Sequence, residues 1–167
     1  VFPFIVFFWL CFDQQGNTFV IQATKLDRHI FGIEILPAQI TAMNAILVLF
    51  LVPLFNGVIY PFLRRVLHLP LKHLNRMVFG MFLTSIAFAC CATLDYAIMH
   101  SQPHSLPIAL QIPQYVLMTT AELLISVTGL EFVYSQAPKS MKGTLASMWC
   151  LTTAFGDLLA GLLFSFV

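Results

Sequence analysis

Glu122 is the residue in this chain whose position demands an explanation. It lies ten residues into an apolar run covering 112–133. In a helix rising about 1.5 Å per residue its carboxyl sits about 15 Å deep, halfway across a bilayer core of roughly 30 Å. An ionised carboxylate there costs several kcal/mol unless it faces a cavity or a partner. The run itself offers no Lys or Arg. The partner is therefore a group on another helix, a ligand, water or a proton; a protonated Glu bonded between helices is the structural alternative. Ser126 follows at i+4 and Leu130 at i+8, with Gly129 beside them. In a regular helix these share one face, polar and narrow at its middle and apolar below. That face suits a cavity wall with a gate beneath it.

Other polar groups are scattered along the apolar runs. Asp13 ends the apolar part of the first run, with Trp9 at i−4 on the same face; solvation at the interface is its plainest role. Asn44 stands early in the second run, where a lone amide often serves as an interhelical hydrogen-bond group. Asp157 lies about two-thirds along the last run, and Asp95 reads as a solvated helix end. Glu131 is placed to pair with Lys139 or Lys142. No Gly-x-Ser-x-Gly, His-Glu-x-x-His or Gly-x-Gly-x-x-Gly is present, so hydrolytic and dinucleotide chemistry has no support and no residue is assigned as catalytic. Cys11, Cys90, Cys91 and Cys150 fall inside apolar runs without metal-type spacing to His and read as small apolar residues, so no metal ligands are assigned.

The elements that must carry these groups are membrane-spanning helices. The chain is 59% hydrophobic and 9% charged, against about 25% charged in a soluble domain. Its net charge of +1 gives no electrostatic case for nucleic acid. Five apolar stretches approach the length of about 20 residues that a bilayer requires, at approximately 1–20, 40–61, 77–95, 112–133 and 144–167. The first is interrupted by Asp13-Gln14-Gln15-Gly16, and the second contains Pro53. The reading is an all-α, polytopic membrane protein, a bundle of about five helices. Arg64, Arg65, Lys72, Arg76, Lys139 and Lys142 share one side, against Lys25 and Arg28 on the other; by the positive-inside rule the first group is cytoplasmic. Gly156 and Ala160 form a small-xxx-small step that lets helix backbones approach. Val1 and Val167 both lie within apolar runs, so both ends are expected to be cuts through a longer protein.

Three stretches resemble the proton-dependent oligopeptide transporters. Phe8-Trp9-Leu10-Cys11-Phe12-Asp13-Gln14-Gln15-Gly16 is similar to the outer end of their seventh helix. Gln111-Ile112-Pro113-Gln114-Tyr115 followed by Glu122 resembles the start of the tenth. The run from Ser126 to Met141-Lys142, through Gly129-Leu130-Glu131-Phe132 and Gln136-Ala137-Pro138, is similar to the family hallmark closing that helix. Asn44 with Pro53 and Tyr60-Pro61 fits the eighth helix. The resemblance implies a partial major-facilitator fold, comprising helices seven to eleven of twelve. It has two departures: Asn17 stands where the family usually has Ser, and Asp157 where Asn is expected. The coupling motifs of the family's helices one, four and five fall outside this chain.

The resemblance also implies roles. Glu122 would bind the amine of a peptide, with Asn44 reaching the same amine. Trp149, Ser126 and Trp9 would line the central site. Asp13 would belong to the outer gate, paired with a basic residue of the other half, and Leu130 to the inner gate. The expected function is proton-coupled symport of di- and tripeptides, without enzymatic activity. It would be powered by the proton gradient without a cofactor, in an inner or plasma membrane. The expected partners are small peptides, protons, the lipid bilayer and the missing N-terminal half. The open alternatives are another substrate, such as histidine or nitrate, and an inactive truncated fragment.

Overall fold

A computed structural model describes residues 2–30, 33–66, 73–102, 104–138 and 140–165. Lys72, Lys139, Val1 and Val167 lie outside the described residues. Among the described residues, five helical spans are long and apolar enough to cross a membrane: Pro3–Thr24, Gln39–Phe62, His73–His100, Ile108–Gln136 and Lys142–Phe164. The chain is an integral, multi-pass membrane protein. Side chains such as Phe4, Phe7, Leu49 and Phe50 are exposed all around the bundle, as expected where the solvent is lipid rather than water.

The first span is broken. Helix α1 (Phe2–Asp13) stops where Asp13, Gln14, Gln15, Gly16 and Asn17 replace apolar residues. Short-range bonds carry the chain through this break, from the Gly16 N–H to Asp13 O (3.0 Å) and from the Asn17 N–H to Gln14 O (3.3 Å). Helix α2 (Thr18–Thr24) then resumes and buries Phe19, Gln22 and Ala23. A ribbon of two short antiparallel strands, β1 (His29–Ile30) and β2 (Ile33–Glu34), lies in the following loop. Asp27 anchors this loop to the one preceding the fourth span. Its N–H bonds Leu106 O at 2.8 Å, and its own carbonyl accepts the Ile108 N–H at 2.9 Å. The His29 backbone N–H, donated to the Asp27 carboxylate at 3.0 Å, holds that carboxyl below its ordinary value.

The second span joins α3 (Ala42–Leu54) to α4 (Tyr60–Val66) through a π-turn at Phe55–Ile59. The sequence explains this turn. Pro61 has no N–H to give and its ring crowds the carbonyl one turn back, so the Tyr60 N–H reaches Phe55 O instead. Helix α5 (His73–His100) runs past the apolar stretch at both ends. Asp95 therefore lies inside the helix, half-buried, with Cys91 Sγ 4.0 Å from its carboxylate; the expectation of a solvated helix end is corrected. Tyr96, Ala97, Ile98 and Met99 continue the helix, and His100 closes it with a ring nitrogen 2.9 Å from Tyr96 O.

The fourth span is also interrupted. Helix α6 (Ile112–Glu122), with Pro113 in its first turn, passes through a π-turn at Leu123–Val127 into α7 (Thr128–Gln136). Around this turn, β-branched Ile125, Val127 and Thr128 weaken a regular helix. Helix α8 (Lys142–Phe164) forms the fifth span.

Glycines set three close contacts. At Gly156 of α8 the α1 backbone comes so near that an added Cβ would strike Trp9 Cβ and lie 3.0 Å from both Leu10 N and Val6 O. Ala160 is fully buried one turn on. At Gly80 of α5 a Cβ would lie 2.7 Å from an Ile125 methylene and 3.1 Å from Ala121 O. At Gly129 it would run into the Trp149 indole. Three buried glutamines tie α2, α5 and the start of α6 together. Gln111 and Gln114 both donate to Gln22 Oε1, at 3.0 and 2.8 Å, and Gln22 donates to Cys91 O at 3.1 Å. Gln111 also donates to Phe19 O at 3.0 Å, while the side-chain oxygens of Gln111 and Gln114 are buried without a partner among the described residues.

Candidate binding site

The polar centre of the bundle is built by two helices far apart in sequence. From α3, Asn44 Nδ2 donates to Glu122 Oε2 on α6 at 3.2 Å. One turn before Glu122, the Thr119 hydroxyl donates to Asn44 Oδ1. The same hydroxyl lies 2.8 Å from Tyr115 O, so its single proton is shared between two acceptors. Thr119 is fully buried, while Asn44 and Glu122 are half-buried. The arrangement fixes the Asn44 amide: its oxygen faces Thr119 and its nitrogen faces the acid. Glu122 keeps Oε1 without a protein partner among the described residues. A free carboxylate oxygen beside an oriented amide can accept hydrogen bonds from an ammonium group or take up a proton.

Ser126 falls within the π-turn that follows Glu122. A single π-turn delays the following residues by roughly 100° relative to a regular helix. The face assumed to join Glu122, Ser126 and Leu130 at i, i+4 and i+8 is therefore not one continuous stripe. Ser126 Oγ is buried and has no partner among the described residues, so it remains a group that a ligand or water can satisfy.

Trp149, Trp9 and Leu130 come together in a second cluster with Ile5, Met77 and Val133. Trp149 is only 7% exposed and lies against Gly129. An apolar cavity of about 110 Å³ opens beside it, lined by Ile5, Met77, Val133 and Leu145 among others. Trp9 Nε1 is buried with no acceptor among the described residues. Trp9 also stacks edge-on with Phe8 and Phe12, its ring centroid 5.4 and 5.5 Å from theirs. Asp13 stands at the end of α1, its carboxylate unpartnered among the described residues. Exposed Asp157 of α8 lies within electrostatic range of it. Glu131 is not placed against a described lysine; its carboxylate is 3.9 Å from His73 Nε2.

The structure thus groups Asn44 with Glu122, and Trp149 with Trp9 and Leu130. Thr119 was missed by sequence reasoning: its spacing of i−3 puts it near Glu122, but its partner Asn44 lies on another span.

Broken helices around a polar centre, in a tightly packed multi-helix membrane bundle, are a pattern shared with secondary-transporter folds. The chain belongs to the POT family, whose model matches residues 1–167. It is 32% identical to the peptide transporter PTR2 of Saccharomyces cerevisiae, over 94% of this chain and 27% of that protein. It is 30% identical to the protein NRT1/PTR FAMILY 8.5 of Arabidopsis thaliana, over 93% of this chain and 27% of that one. Among solved structures it resembles the POT family transporter PepTSo, with 38% identity and a TM-score of 0.84 over 94% of this chain and 30% of that one. A second match is an auto-inhibited POT family peptide transporter, also 38% identical, with a TM-score of 0.86. The chain therefore spans less than a third of the length of the relatives it matches.

Proposed function

We propose that the protein carrying this chain is a proton-coupled symporter of di- and tripeptides that works by alternating access. The observation that supports this most is the Glu122 carboxylate held at 3.2 Å by Asn44, with the amide fixed in turn by Thr119. The free oxygen of Glu122 receives the peptide's N-terminal ammonium, and Asn44 orients the acid toward it. Ser126 contributes an unsatisfied hydroxyl nearby. Trp9 and Trp149 supply apolar walls that accept varied side chains, because an aromatic face gives contact area without demanding one partner. Leu130, packed beside Trp149, closes the inner side. Asp13 closes the outer side against a basic residue elsewhere in the protein.

The energy comes from the proton gradient, at about 2.3 kcal/mol per charge per 100 mV, and no cofactor is needed. Its similarity to transporters and its lack of catalytic motifs argue against an enzyme. A site whose central charge is a carboxylate disfavours an anion such as nitrate.

The test is dipeptide uptake by the full-length protein in liposomes under an inward proton gradient, with Glu122→Gln alongside. Uptake that requires the gradient and collapses in the variant is expected. Gradient-independent uptake, or an unaffected variant, contradicts the proposal.

A further inference from the structure

A second polar site lies away from Glu122, where the second span meets the third. A cavity of about 430 Å³ is lined by Asn56, Tyr60, Pro61, Arg65 and Arg76. Two guanidinium groups and an amide line it, and no carboxylate does. The Arg76 guanidinium carbon sits 4.3 Å from the centre of the Tyr60 ring, an attraction that uses its charge and none of its N–H donors. Arg76 Nε is buried and has no acceptor among the described residues. Arg65 is exposed and likewise makes no hydrogen bond or ion pair among them. A buried guanidinium nitrogen without an acceptor is costly, so the cavity can take an oxygen acceptor, and its two guanidinium groups favour a negatively charged one.

The surroundings indicate where that group comes from. The same two helices expose apolar side chains along their length: Phe62 of α4, and Val78 and Phe79 of α5. Arg65 and Arg76 also belong to the Lys- and Arg-rich side of the chain, which the positive-inside rule places in the cytoplasm, where the leaflet carries anionic lipid. Two cations on helices that also expose apolar side chains match an amphiphile better than a soluble anion. We infer that the Asn56–Tyr60–Arg65–Arg76 cavity is a binding site for the phosphate headgroup of an anionic phospholipid of the cytoplasmic leaflet. Arg76 and Arg65 donate to the phosphate oxygens, Asn56 bonds the headgroup, and the acyl chains lie along α4 and α5.

The experiment measures lipid retention by native mass spectrometry on the purified full-length protein, titrated with phosphatidylglycerol or with phosphatidylcholine of the same chains. Arg65→Gln is the main variant, because Arg65 is exposed and its loss leaves the fold intact. Arg65→Gln/Arg76→Gln is the stronger one, and Lys142→Gln is the control for general positive charge. Preferential retention of phosphatidylglycerol is expected. It should weaken about fivefold in the single variant and further in the double, stay unchanged in Lys142→Gln, and persist in excess inorganic phosphate. Equal retention of the two lipids, an unchanged preference in Arg65→Gln, an equal loss in Lys142→Gln, or displacement by inorganic phosphate each overturns the assignment.

Discussion

Thr119, Asn44 and Glu122 form a sequence in which each group fixes the next. The hydroxyl selects which end of the amide faces it, and the amide then presents N–H to the acid. Thr119→Val keeps the shape and removes the donor. It leaves Asn44 Oδ1 unpaired and frees the amide to turn, a loss of about 1 kcal/mol. The expected result is a several-fold rise in KM for dipeptide uptake with unchanged protein yield, and recovery in Thr119→Ser. An unchanged KM in Thr119→Val means the amide is held by something else. Glu122 was legible in the sequence because depth alone makes an acid conspicuous, and Asn44 because amides are scarce in apolar runs. Their pairing was not, since the two are 78 residues apart and no local spacing connects them. Thr119 was hidden for another reason. A threonine is unremarked in an apolar helix, and only a partner across the bundle gives its hydroxyl a role.

Among the elements, the two π-turns and the close-packed glycines decide where side chains point. The π-turn at Phe55–Ile59 was readable in principle from Tyr60-Pro61, whose ring cannot sit in an ordinary helical turn. The π-turn at Leu123–Val127 has no proline to announce it, and regular-helix counting therefore put Ser126 and Leu130 on the Glu122 face. The small-xxx-small step of Gly156 and Ala160 was legible in the sequence, and both of its positions are buried. Gly156 meets the α1 backbone, while a Cβ on Gly161 would meet nothing within 4 Å. Gly156→Leu should therefore prevent α1 and α8 from packing and remove most of the folded, monodisperse protein. Gly161→Leu should leave it intact. Size-exclusion profiles of the two variants check this, and equal profiles would contradict the packing described. The glutamine cluster of Gln22, Gln111 and Gln114 escaped sequence reading because its members come from different spans, and each alone reads as an interface residue.

On the scale of the whole molecule, the chain covers 27% of the yeast relative, and under the proposed function it holds one side of a transport pathway. Among the described residues, Asp13 and Asp157 have no basic partner and Glu122 has no cation beside it. The 167 residues alone are therefore expected to give no saturable uptake in liposomes under an inward proton gradient; gradient-driven, saturable uptake by them alone contradicts that. The number of spans and the membrane setting were open to reading, because apolar length is a property of sequence. The way the helices bend around the acid was not, because it depends on tertiary contacts. The central claim is that Glu122 reads a peptide's amine. It is tested most directly by equilibrium binding of a dipeptide and of its N-acetylated form to the full-length protein and to Glu122→Gln. The account predicts that the wild type favours the free amine and that the preference disappears in the variant; an undiminished preference in Glu122→Gln would place the amine elsewhere.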